Sequence, residues 1–121
     1  MSHALRITET GEVTEVSWAD GQQLQALQEG VEGLVDLVAL TPAIGMWVNE
    51  EGLFTHGRNP LATAIAGSLR GAHYQDYYGP AVFTGGTDEQ GGTLPLARAE
   101  EDRIRAYARV GLGILALKGD V

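Results

Sequence analysis

Cysteine is absent from this chain, which excludes disulfides, thiolate metal sites and cysteine nucleophiles together. Basic side chains are scarce. Eight Lys and Arg face sixteen Asp and Glu, for a net charge of −8 at pH 7. The deficit is uneven: before Arg58 the only base is Arg6, against Glu9, Glu12, Glu15, Asp20, Glu29, Glu32, Asp36, Glu50 and Glu51. Such a surface repels a nucleic-acid backbone, whose binding rests on many Lys and Arg contacts. It suits a basic partner, or imitation of DNA towards a DNA-binding protein. No apolar run approaches the roughly 20 residues a membrane helix needs. The N-terminus has no basic segment followed by an apolar core, so no signal peptide is expected and the expected location is the cytoplasm. His3, His56 and His73 lack neighbours at metal-ligand spacing, and no zinc site is expected.

What is present reads as one α+β domain over 1–121, a mixed or antiparallel sheet with about three helices packed on it. Ala4–Thr8 and Val13–Trp18 alternate apolar and polar residues around a Glu9-Thr10-Gly11-Glu12 hairpin turn. Asp20 is placed to cap a helix carrying Leu24, Leu27 and Val31 at helical spacing, with Gly30 and Gly33 at its exit. Leu34–Leu40 and Ile44–Val48 form two strands about Pro42, with Asp36 on a solvent-facing side. Asn49-Glu50-Glu51-Gly52 then makes a second turn, Gly52 taking positive φ, and Leu53–Thr55 returns as a short strand. Asn59-Pro60 marks a helix start, followed by Leu61, Ile65 and Leu69 in one apolar row. Gly67 in that helix suggests close approach by another element. Gly79-Pro80 introduces a strand over Ala81–Thr84, and Gly85–Thr93 reads as a mobile acidic loop. Leu96–Arg109 is helical, with Ala97, Ile104, Tyr107 and Ala108 inward. The apolar tail 110–117 fits either a continued helix or a last strand.

The chemistry-bearing residues gather near His56. Asn49, His56, Arg58, Asn59 and Thr63 form a candidate ligand site, with the free amides of a helix start and the fork of Arg58 suited to an anion. The competing reading has Asn59 capping, Thr63 bonding locally and Arg58 pairing with Glu50 or Glu51. Tyr74, Tyr77 and Tyr78, next to His73, form an aromatic cluster fit for a subunit contact. Gly111-Leu112-Gly113-Ile114-Leu115-Ala116 matches a dinucleotide fingerprint only formally, since no βαβ unit follows. Gly85–Gly92 lacks the Lys-Ser/Thr ending of a phosphate loop. No catalytic residue, metal or cofactor is assigned.

Val48-Asn49-Glu50-Glu51-Gly52, Asn59-Pro60-Leu61-Ala62-Thr63, and Gly79 with Val82, Gly85, Gly86, Asp88, Glu89 and Gly91 resemble in order and spacing a family of small uncharacterised domains of bacteriophages and actinobacteria. The resemblance covers roughly 34–107; the 71–78 insert and the apolar tail depart from it. It implies a phage or mobile-element accessory protein. Three functions are therefore expectations. The first is a homo-oligomeric, non-catalytic binder of a small nucleotide-like anion, sequestering a host immune signal. The second is an acidic inhibitor of a host protein, and the third a small hydrolase.

Overall fold

Two hairpins form this sheet, and a strand from late in the chain joins them. The computed structural model describes residues 3–119. Strands β1 (Ala4–Ile7) and β2 (Val13–Val16) pair antiparallel around a turn where Gly11 takes φ +87°. Strands β3 (Val35–Thr41) and β4 (Ile44–Asn49) form the second hairpin. Strand β5 (Ala81–Thr84) lies between β1 and β4, antiparallel to both. The order is β2-β1-β5-β4-β3. All four residues of β5 are buried, as a central strand covered on both faces must be.

Alternation along the strands sorts the core into two layers. Leu5, Ile7, Ile44, Met46 and Phe83 face helices α3 (Pro60–Arg70) and α4 (Arg98–Lys118). Ala4 and Val82, with half-buried Trp47, face helix α1 (Gln23–Val31), whose Leu27 and Val31 are buried. Burying side chains such as Phe83 or Leu5 contributes about 1.5–3 kcal/mol each. This is the expected α+β domain, with an antiparallel sheet and four helices.

Local expectations fare unevenly. Asp20 does not cap: α1 starts at Gln23 after Gln22, with no side-chain cap, and the Gln23 side chain donates from Nε2 to the Thr93 carbonyl. Leu24 is exposed, and Gly30 lies inside the helix because a Cβ there would come within 2.7 Å of Val82. The left-handed exit falls on Glu32, at φ +62°. The return strand over Leu53–Thr55 is absent. Those residues form a one-turn helix, α2 (Gly52–Thr55), and Gly52 is not at positive φ. Glycine is required there for space, since a Cβ would stand 2.6 Å from the Tyr78 carbonyl oxygen. Near Gly67 the closest approach is by Ala72 and His73 of the following loop, at ordinary contact distance. The tail is helix: α4 runs through Gly111 and Gly113 to Lys118, with Leu115 buried. Ala97 is exposed at its N-cap, and Tyr107 is half-buried. The acidic loop is pinned, with Asp88 Oδ1 accepting from the Gln90 and Gly92 amides and Thr87 bridging Thr93. Asp36 is exposed, as expected.

Candidate functional site

The polar residues around α2 divide into two groups, one on either side of the Asn49–Gly52 corner. The first group is built on the end of α1. A non-glycine residue in the left-handed region costs roughly 1–2 kcal/mol, and Glu32 is held there by several ties. Its Oε2 lies 3.2 Å from Arg6 Nη2 and its Oε1 lies 2.9 Å from His56 Nε2. Arg6 Nε also donates to the Gly30 carbonyl at 2.7 Å. Asn49 Nδ2 donates to the Val31 and Glu32 carbonyls, while its Oδ1 accepts from the Glu51 amide at 2.8 Å. Asn49 thus satisfies carbonyls that α1 leaves unpaired at its end. On its far side, His56 Nδ1 is 2.7 Å from Thr55 Oγ1. Glu32, Gly33, Leu34, Asn49, Glu51, Thr55 and His56 line a cleft of about 200 Å³.

Thr55, His56 and Glu32 follow the order of a hydroxyl–imidazole–carboxylate relay. The Thr55 hydroxyl lies within reach of both His56 Nδ1 at 2.7 Å and the Glu51 carbonyl at 3.0 Å, and its single proton can go to only one of them. Through Glu32, Arg6 and His56 the arrangement ties α1, β1 and α2 together as a latch. Its carboxylates and carbonyls suit hydrogen-bond donors and cations.

The second group contains Arg58. Its Nε lies 3.4 Å from Asp76 Oδ1, which is also 3.5 Å from His73 Nε2. The partner is Asp76, and not Glu50 or Glu51. A neighbouring cleft of about 170 Å³ includes Asp36, Glu50, Asp76 and Tyr78 in its lining. This surface too is acidic.

Asn59 and Thr63 face the interior. Asn59 is fully buried: Oδ1 accepts from the Ala62 amide, and Nδ2 donates to the Ile7 and Gly79 carbonyls at 3.0 and 2.9 Å. Thr63 Oγ1 accepts from the Tyr77 amide. Pro60 to Thr63 are buried with them, so the start of α3 lies under the 77–79 segment and β1. Of the five predicted ligand residues, Asn49 and His56 share a cleft. Arg58 is on the other side, and Asn59 and Thr63 are buried. Among the tyrosines, Tyr77 is buried with its hydroxyl accepting from Arg70, while Tyr74 is exposed under the Arg70 guanidinium, 4.1 Å from the ring centroid. Tyr78 is half-buried and bridges Arg58. On α4, Tyr107 first and then Glu100 raise the pKa of the exposed Arg103 guanidinium above its usual value.

Sequence reasoning missed Glu32 and the pair Leu53 and Phe54. Leu53 is 62% and Phe54 86% exposed on α2. Two adjacent large apolar residues in a four-residue element were the available signal. Nothing in the sequence flagged the backbone of Glu32. No group of metal-ligating side chains occurs among the described residues.

Fold and site define an antiparallel α+β domain with a latched, acidic corner that displays an apolar pair. The chain belongs to the family described as Domain of unknown function (DUF3846), whose sequence profile matches residues 1–109. That span takes in the first hairpin, which the expected 34–107 resemblance left out. No curated protein and no solved structure matches the chain.

Proposed function

We propose that this protein is a non-catalytic binding module that engages a protein partner through α2. The observation behind this reading is the exposure of Leu53 and Phe54 side by side on α2. Single exposed apolar residues are ordinary. Here two are adjacent, on a helical turn wedged under Tyr78 by Gly52 and latched through His56 to Glu32. An anchor ordered before binding loses less freedom on association, and aromatic anchors dominate interface energetics. Glu50 and Glu51 border the pair, which favours a basic rim on the partner. The acidic-inhibitor expectation is thereby relocated from the N-terminal hairpin to the α2 corner. The anion-binding expectation loses support, because carboxylates line both clefts and the α3 amides are buried. A phage origin, which the sequence resemblance implies, would make a host protein the natural partner.

The test is affinity capture from a host-type lysate with wild-type protein and with Phe54→Ser and Leu53→Ser. A partner held by the wild type, released by salt and weakened at least about 30-fold by Phe54→Ser is the expected outcome, since a hot-spot anchor contributes about 2 kcal/mol or more. Unchanged far-UV circular dichroism would show that the variants stay folded. Equal capture by all three proteins, or no specific capture by the wild type, would overturn the reading.

A further inference from the structure

The sheet has two unlike edges. Strand β2 is four residues long and flanked or occupied by Glu12 and Glu15, features that discourage strand addition. Strand β3 is seven residues long, Val-Asp-Leu-Val-Ala-Leu-Thr, with one charge and no lysine or proline. The Leu34 carbonyl accepts from the Glu50 amide. By antiparallel alternation Asp36 and Val38 then bond towards β4, and the backbone groups of Val35, Leu37 and Ala39 point outwards. Leu37 and Ala39 are exposed on this edge, with Leu34 beside them.

We infer that β3 pairs antiparallel with β3 of a second copy of this chain, about a two-fold axis at Leu37. The regular ladder of β3 with β4 runs from Val35 to Ala39, where the register shifts, and Leu37 is its centre. An axis there sets Leu37 opposite Leu37 and Val35 opposite Ala39. Those are the residues with outward backbone groups, so each finds a partner. The same register sets Asp36 opposite Val38, keeping the two carboxylates apart in a chain of net charge −8. It also sets the exposed Leu34 opposite Leu40. The two Leu37 side chains meet on the α1 face, where Leu37, Ala39 and Trp47 line an open cleft of about 140 Å³. An axis at Asp36 would oppose two carboxylates, which is unfavourable. The pairing uses no residue of α2, although Leu34 and Asp36 also line the clefts that flank it.

The absence of cysteine makes the test direct. Leu37→Cys places two thiols in a hydrogen-bonded pair with Cα atoms about 5.5 Å apart, within disulfide reach. Ala39→Cys places them four residues apart along the strands, roughly 13 Å, which is out of reach. The expected result is a wild-type dimer by sedimentation, near-complete oxidative cross-linking of L37C and little of A39C. Leu37→Lys, which opposes two ammonium groups at the axis, should be a folded monomer. A monomeric wild type would overturn the proposal, as would a dimer that survives Leu37→Lys in folded form, or cross-linking of A39C matching that of L37C. Should Leu37→Lys misfold, the two cysteine variants still decide.

Discussion

Asn59 joins three parts of the chain with one side chain. It caps α3 locally, and its two donated hydrogen bonds reach carbonyls 52 and 20 residues away in sequence. Asn59→Ala removes the cap and leaves buried carbonyls unmet, so a loss of about 3 kcal/mol is expected by chemical denaturation. A loss below about 1 kcal/mol would mean that water replaces the amide. The cap was readable because it depends on its immediate neighbours, Pro60 and Ala62. Burial was not, because it depends on β1 and Gly79. Glu32 poses the reverse problem. Its left-handed backbone costs about 1 kcal/mol, while its ties to Arg6 and His56 are half-exposed and contribute only modestly. Glu32→Gly should leave stability equal or slightly higher, measured by thermal melting. A clear drop would show that the latch outweighs the strain.

At the level of elements, glycine separates local propensity from packing. Gly111 and Gly113 both lie inside α4, where each costs about 1 kcal/mol relative to alanine. A Cβ at Gly113 would meet nothing within 4 Å, whereas one at Gly111 would approach a Leu61 methyl at 2.8 Å. Gly113→Ala should therefore raise stability by about 1 kcal/mol, and Gly111→Ala should raise it less or lower it. Gly52→Ala carries a sharper sign test. Helix propensity alone favours alanine, yet the Tyr78 carbonyl leaves no room. A loss of stability is expected from urea unfolding, and a gain would mean that the 77–79 segment yields easily. These cases show where sequence reasoning ran out. Asn49-Glu50-Glu51-Gly52 has the composition of a hairpin turn, but what requires glycine at 52 is a carbonyl from 26 residues further along, not a positive φ. The helix through Gly111 and Gly113 persists because Ile104, Ala108 and Leu115 seat it on the core. The first hairpin, the two strands about Pro42, the α3 start and β5 were readable because alternation, turn residues and Pro60 act over short spans.

For the molecule as a whole, self-repulsion outweighs pairing. Some ion pairs join exposed side chains, such as Arg58 with Asp76 and Arg98 with Asp102, and exposed pairs contribute little. The excess of eight negative charges acts against the compact state. Raising salt from low to physiological ionic strength should increase the melting temperature by about 1–4 °C, read by calorimetry. A fall would mean that paired charges dominate.

The position of β5 also bears on how the chain is made. Strands β1 and β4 do not pair with each other, and the residues that join them, 81–84, lie two-thirds of the way along the chain. A nascent chain emerging from the ribosome therefore carries two unconnected ribbons, each with a bare inner edge, until Thr84 is clear. Release before that point, as at a premature stop codon, should yield a polypeptide that clumps instead of one that lacks only its last helix.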